Sequence, residues 1–400
     1  MKTTTEEQKL MPVLPVEAYT SQEWYNLEME HIFGNTWQFA GLIEDVANPG
    51  DFVTVQCGSQ NIMVVKGKDQ RLRAFHNICR HKGTQLLRSA GKAKTAITCP
   101  YHAWTYSLQG ELQSVPDEEK QFPNLDKKKF CLHKAQVETW RGMVFVHPDP
   151  KAEPLHEFLC GFENYISPYH KPEELQELTA FKQEHVIHAN WKLVAENYMD
   201  VYHLNHLHSK TLFMFNHDKA SFGYAGPHYT FVEPVHEKDY EKRINNQPIS
   251  KIKGVDSTLV YVPMIFPNIG LAESQTNWST FHIIPLAPNK CKVVLRTKVQ
   301  PMSTSETIKN IPKFIRSYFG FLQLQKLKDG DPMESYDFVL EDNYACEQQQ
   351  KALQSKMFSV GASAEVTEAQ CRQYQQIIKD FVEGNRHLHK ERIVMREFQY

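Results

Sequence analysis

The sequence predicts an α+β protein: a small antiparallel β domain followed by a larger domain in which an antiparallel sheet is flanked by helices. Two observations predict it. From Trp37 to about Pro150, short β-branched and aromatic runs alternate with Gly, Asp and Asn turns. Beyond residue 153, strand-like runs and helical periodicity are mixed, and helix-capping signals gather toward the C-terminus.

Taken in order, residues 21–35 (SQEWYNLEMEHIFGN) carry apolar residues at helical spacing, with Gly34 and Asn35 to stop the helix. The runs Phe52–Val55, Ile62–Lys66, Thr95–Thr98 and Met143–Val146 predict the strands of the β domain, which HPDP at 147–150 closes with two prolines. A helix is expected near 153–166, a strand over FKQEHVIHA at 181–189, and a helix from about Trp191. Residues 256–300 read as antiparallel strands, two of them joined by the PNK turn at 288–290. Ser303 with Glu306, and Thr367 with Gln370, have capping-box spacing, and Gly384 is placed to end the last helix.

Composition narrows the function classes. The 400 residues have 41% hydrophobic and 23% charged side chains, enough to bury a core. The formal net charge of −2 gives no global electrostatic case for nucleic acid or an anionic membrane. MKTTTEEQKLM at 1–11 has no signal-peptide core, and no apolar run approaches the roughly 18 residues needed to span a bilayer. A cytoplasmic location is therefore expected. In that compartment the cysteines are expected to be thiols or metal ligands. Six of them (57, 131, 160, 291, 346, 371) are scattered and expected to be inert.

Cys79 and Cys99 keep different company. Residues 79–81 read CRH and residues 99–102 read CPYH, so each of two loops offers one sulfur and one imidazole. A [2Fe–2S] cluster needs two ligands per iron, and histidine in place of cysteine on one iron raises its reduction potential. Structural zinc is the alternative metal, in a zinc-stabilised binding module. Zinc loops, however, usually pair Cys with Cys and His with His.

A second cluster of metal-binding residue types lies in NWKLVAENYMDVYHLNHLH, 190–208. Glu196, Asp200 and His203 stand at i, i+4 and i+7 and share one face of an unbroken helix. His208 falls about 140° round from His203, so the helix must distort or end between them if both bind one metal. His206 lies between the two as a decoy. A polar helix face with incidental histidines is the competing reading.

CRHKGTQLL and CPYHAWTYSLQGEL resemble the cluster-binding loops of Rieske non-haem iron oxygenases, and Glu-Asn-x-x-Asp-x-x-His followed by a second histidine resembles their catalytic motif. Lys82 and Ala103 depart from the usual arginine and glycine. The resemblance implies that Cys79 and Cys99 hold one cluster iron, His81 and His102 the other, and that His203, His208 and a late carboxylate hold a mononuclear Fe(II) with positions open for O₂ and substrate. In LEDNYACEQQQ, 340–350, Asp342 fits that carboxylate best, with Glu341 and Asp337 as rivals. Asp200 is implied to bridge His203 of one chain and His102 of the next.

It also implies a division into an N-terminal helical segment packing on the catalytic domain (1–36), a Rieske [2Fe–2S] domain (37–152) and a catalytic domain (153–400). The WQFAG, AFHNICRH, CPYHAW and LED segments look most like the choline, betaine and carnitine monooxygenase branch, which works as α-only trimers. The expected partners are a small organic substrate, O₂ and a separate reductase, possibly with a ferredoxin, that delivers NAD(P)H electrons. The expected reaction is monooxygenase-type hydroxylation, demethylation or epoxidation. Ring dioxygenation, or tailoring of a secondary metabolite, is the alternative within the family, and a pure Rieske electron carrier the alternative outside it. The aromatic stretch 213–231 suggests a pocket or plain core. Tyr198, Tyr202, Phe213, Phe215 and Tyr224 are its candidate substrate-binding residues.

Overall fold

The structure is a computed structural model, which describes residues 10–93, 95–179, 182–255, 258–327 and 331–398, with the backbone alone for 318 and 320–327. The first nine residues of the N-terminal segment, Phe181 at the head of the strand expected over 181–189, and Asp256 and Ser257 at the head of the 256–300 region lie outside them. The chain divides into two compact units, 26–158 and 1–25 with 159–400. These boundaries fall at 25/26 and 158/159, where the sequence suggested 36/37 and 152/153. Local packing explains the shift. The Cα of Gly58, at φ +59, sits so close to the Met29 carbonyl that a Cβ there would lie 2.0 Å from its oxygen, and Trp37 Nε1 donates to the Glu153 carbonyl at 2.9 Å.

Among the described residues, unit 26–158 holds a seven-stranded antiparallel sheet. It runs, edge to edge, Gln38–Leu42, Met143–His147, Lys134–Trp140, Leu72–His76, Gln60–Lys66, Asp51–Cys57, Ala90–Lys92. Its strands are apolar on both faces because each face covers a core. Met63, Val65 and Phe75 point into one cluster, and Ile62, Val64 and Ala74, one residue out of phase, into the other. Cys79, Cys99, Trp104 and Tyr106 belong to the first cluster. The loops bearing the cysteines are therefore anchored in a core.

The other unit is built on a ten-stranded sheet among the described residues. Its longest pair, Trp278–Ala287 and Lys290–Val299, is joined at the expected turn. Its helices include α1 (Trp191–Met199), α2 (Thr304–Leu327), α3 (Phe338–Leu353) and α4 (Ala369–Val382). Ser303 and Glu306 do form a capping box, with Ser303 N donating to Glu306 Oε2 at 2.8 Å and Glu306 N to Ser303 Oγ at 3.3 Å. Gly384, at φ +81, follows the end of α4.

Three expectations need correction. The helix expected over 153–166 is broken into Leu155–Phe158 and a 3₁₀ turn, Phe162–Tyr165, because Cys160 and Gly161 both take positive φ (50° and 74°). Thr367 and Gln370 make no capping box. Glu368 is the N-cap residue of α4, and the buried Gln370 amide donates to the Met199 and Thr367 carbonyls. Glu196, Asp200 and His203 do not share one helical face, because α1 ends at Met199. Asp200 turns extended (ψ 122°) and its Oδ1 accepts from Tyr202 N at 2.7 Å, an Asx turn in place of another helical turn.

Candidate metal centres

The two loops of the smaller unit are built alike. Cys79 N donates to Thr84 O and Gly83 N to Cys79 O; Cys99 N donates to Trp104 O and Ala103 N to Cys99 O. Each cysteine thus opens a loop that closes five residues later. Both sulfurs are buried. Tyr106 Oη lies 3.3 Å from Cys79 Sγ and accepts from Arg80 N at 3.0 Å. Burial raises the Cys79 thiol pKa, with the Cys99 sulfur as its neighbour. The two histidines stand side by side. Their rings lie 4.7 Å apart, His81 stacks flat on Trp104, and His102 is exposed beside Tyr101.

His81 Nδ1 is buried yet has no hydrogen-bonding partner. A buried orphan nitrogen is costly unless something binds it. Two sulfurs and two imidazoles on paired loops, one nitrogen left open, are a donor set that fits a [2Fe–2S] cluster with mixed ligation.

In the larger unit, donor atoms of His203, His208 and Asp342 all lie within 4.8 Å of one another. His208 Nε2 is 2.9 Å, and His203 Nε2 3.6 Å, from Asp342 Oδ1. The helix break brings this about. His203 begins the short helix Leu204–Leu207 and His208 ends it, so the two rings converge at 5.0 Å between centroids. Asp342 comes from α3, one residue past its first turn. Asp337, one of its rivals, is spent as the N-cap of that helix, accepting from Val339 N at 3.1 Å.

Both nitrogens on the far sides of the rings are committed. His203 Nδ1 lies 3.0 Å from Asp200 Oδ2, and His208 Nδ1 lies 2.7 Å from Glu341 Oε2. Burial works against a charged His208 imidazole, but Asp342 and Glu341 outweigh it and raise its pKa. The carboxylates that favour a proton there also favour a cation. Two neutral imidazoles and one carboxylate converging on one point fit an Fe(II) with open positions. His206 is exposed and stands outside the group.

A cavity of about 560 Å³ adjoins this centre, with Asp200, Leu204, Met214, Val260, Phe281 and Phe338 in its wall. Of the five aromatic candidates, Tyr198 and Phe215 line it. Tyr198 is pinned there by its hydroxyl, which donates to Leu271 O at 2.7 Å. The other three candidates do not line it. Tyr202 and Phe213 are 57% and 52% exposed. Tyr224 is fully buried behind the site, its hydroxyl donating to Gln370 O at 2.7 Å. The strand Ser221–Ala225 is buried over its last four residues, and the ring packs beside Tyr229 and Met199.

The cavity also exposes what the sequence did not suggest. His217 and Glu233 line it as a buried pair, Nδ1 to Oε2 2.7 Å, in walls that are otherwise largely apolar. Sixteen residues separate them, on a 3₁₀ turn and a strand, so no motif spacing announces the contact. Thr211, whose hydroxyl donates to Glu341 Oε2 at 2.9 Å, was equally silent.

Two family models match the chain. Residues 162–384 match the family described as ring hydroxylating alpha subunit (catalytic domain), and residues 36–139 match the Rieske [2Fe-2S] domain. The chain belongs to the ring-hydroxylating alpha subunit family. Among its relatives are the chlorobenzene dioxygenase subunit alpha of Cupriavidus sp. (strain PS12), 39% identical over 46% of this chain and 42% of that one, and the carnitine monooxygenase oxygenase subunit of Escherichia coli (strain K12), 35% identical over 49% and 52%. The matched segments therefore span about half the length of these relatives. A solved quaternary ammonium Rieske monooxygenase in complex with an inhibitor shares the fold, with a TM-score of 0.73 at 22% identity over 93% of this chain and 96% of that one. Naphthalene 1,2-dioxygenase also shares it, with a TM-score of 0.68 at 20% identity over 95% and 96%.

Proposed function

We propose that this member of the family is the oxygenase component of an O₂-dependent system acting on a small, largely apolar organic substrate. The observation that carries the reading is the convergence of His203, His208 and Asp342 beside the cavity, in a chain that also has the paired Cys–His loops. In their roles Cys79, His81, Cys99 and His102 hold the [2Fe–2S] cluster, and His203, His208 and Asp342 hold the mononuclear iron. When bound, the cluster supplies single electrons and the iron supplies the site where O₂ is activated.

The protein's own groups position and insulate. Asp200 and Glu341 hold the two imidazoles in orientation. Phe281, Phe338 and the aliphatic walls keep water from the substrate, and Tyr198 and Phe215 offer it flat apolar surface. Electrons come from NAD(P)H through a separate reductase, with or without a ferredoxin.

Asp200 carries a second role in this reading. Its side chain keeps partial exposure while bonded to His203, which suits a carboxylate shared with His102 of a neighbouring chain in a head-to-tail homotrimer. One relative of the same fold is described as having inter-subunit electron transfer. Monooxygenation fits the branch resemblance, and the apolar cavity equally favours ring dioxygenation as a second reading.

The test is product analysis with purified protein, NADH, a surrogate reductase and a panel of aromatic and quaternary ammonium substrates under ¹⁸O₂. Label in one or two product oxygens establishes the reaction and its type. Protein that holds iron and cluster yet incorporates no label from any substrate, while passing electrons to an acceptor, would make it an electron carrier instead.

A further inference from the structure

Glu341 competes with Asp342 for the ligand position on sequence alone, and the structure gives it other surroundings. It stands next to Asp342 in the first turn of α3, and successive helical residues point about 100° apart. Asp342 therefore faces the converging Nε2 atoms, while Glu341 passes behind His208. There its Oε2 meets two donors, His208 Nδ1 at 2.7 Å and the Thr211 hydroxyl at 2.9 Å. Both His208 and Glu341 are buried, with side chains 1% and 4% exposed.

We propose that Glu341 is a positioning residue for the mononuclear metal: it fixes His208 as the Nδ1–H tautomer and so turns the Nε2 lone pair toward Asp342 and the ion. The proposal rests on the reading of His203, His208 and Asp342 as ligands. A ring nitrogen beside an ionised carboxylate keeps its proton, and the other nitrogen is then the one free to bind metal. The carboxylate also makes that nitrogen more basic. Thr211 holds Glu341 against rotation. Asp200 does the same for His203, but from a partly exposed position, whereas the Glu341–His208 pair is sealed from solvent. Of the two imidazoles, His208 is the one held from the more deeply buried side.

The experiment uses the full-length protein with its cluster oxidised, stripped of mononuclear metal by a chelator and reloaded with Co(II). The oxidised cluster is EPR-silent, so the Co(II) signal reports this site alone. Glu341→Gln keeps an acceptor for Nδ1–H and loses the charge; Glu341→Leu loses both. The expected order of Co(II) affinity is wild type, then Gln roughly 10-fold weaker, then Leu roughly 100-fold weaker, with a broadened signal for Leu only. Wild-type affinity and line shape in Glu341→Leu would reduce Glu341 to packing and overturn the proposal. So would a loss in Glu341→Gln as complete as in Asp342→Asn, which would make Glu341 a ligand. If the wild type binds no Co(II), or His208→Ala binds it normally, the metal reading itself fails, and with it this inference.

Discussion

Ala103 occupies in the second cysteine loop the place that Gly83 occupies in the first, four residues after the cysteine, and both take the left-handed conformation, φ +56° and +73°. Glycine adopts that region freely, while a Cβ there costs about 1 kcal/mol. A Cβ on Gly83 would meet nothing within 4 Å, so backbone strain alone would penalise it. Ala103→Gly is therefore expected to stabilise the holo protein by up to about 1 kcal/mol and Gly83→Ala to destabilise it by a similar amount. Urea unfolding followed by far-UV circular dichroism measures both, and equal effects of one sign would contradict the account.

Replacing any one of Cys79, His81, Cys99 or His102 with alanine is expected to abolish the visible absorption of the cluster. Because the mononuclear site is built entirely within the other unit, these variants should still bind Co(II) there. Wild-type protein that contains zinc and no acid-labile sulfide would refute the cluster assignment.

Asp200→Asn leaves a side chain of the same shape that can no longer accept at both positions. Its amide nitrogen must face either Tyr202 N or His203 Nδ1, both donors in the wild-type arrangement. Both metals should remain bound. Single-turnover oxidation of the reduced cluster, with substrate and O₂ present, should slow by orders of magnitude. Oxidation at the wild-type rate, or an active monomer by sedimentation, would remove the bridging role.

Glu196 links three segments of its unit: it accepts from Tyr19 Oη at 2.6 Å and from Gln375 Nε2 at 2.7 Å. Burial, only partly offset by those bonds, lifts its pKa from about 4.5 to about 7. A carboxyl with a raised native pKa binds its proton more tightly folded than unfolded. The stability it supports is thus fully present below pH 4.5 and is lost as pH rises toward 7, by about 3 kcal/mol at most. Glu196→Gln should flatten this part of the stability–pH curve. An unchanged slope between pH 5 and 7 in the variant would show that other groups set it.

His217→Ala strands Glu233 in the cavity wall without its partner. Breaking a buried pair from one side costs roughly 3–5 kcal/mol. Burial already raises the Glu233 pKa, and the His217 bond is what opposes that rise, so the variant's defect should shrink at low pH, where Glu233 protonates. The double variant His217→Phe with Glu233→Leu should recover much of the loss. Thermal unfolding at pH 5.5 and 8 distinguishes this from simple loss of packing, which would be independent of pH.

What the sequence by itself determined was local. Cys79 with His81, and Cys99 with His102, are two and three residues apart, so their presentation depends on loops closed by their own backbone hydrogen bonds. Four strands of the β domain were legible for a similar reason, since a β-branched or aromatic run bounded by turn residues is a property of neighbours. His203 and His208 were legible as a pair, but the helix was expected to yield between them, and it ends earlier, at Met199. An Asx turn at Asp200 competes with one more helical turn, and spacing alone does not say which prevails.

The tertiary structure decided everything that joins distant segments. Asp337, Glu341 and Asp342 lie within six residues, and all are acidic. Asp337 caps α3 through its own neighbour, and only the docking of α3 beside His208 sets Glu341 against Nδ1 of that imidazole and Asp342 against Nε2. The cavity is the same kind of outcome. Its wall accepts Tyr198 and Phe215, excludes Tyr202, Phe213 and Tyr224, and pairs His217 with Glu233. Aromatic content in a stretch of chain does not encode which rings point inward. The pleat of each strand, and the segments that happen to cover it, fix that choice through packing between residues far apart in sequence.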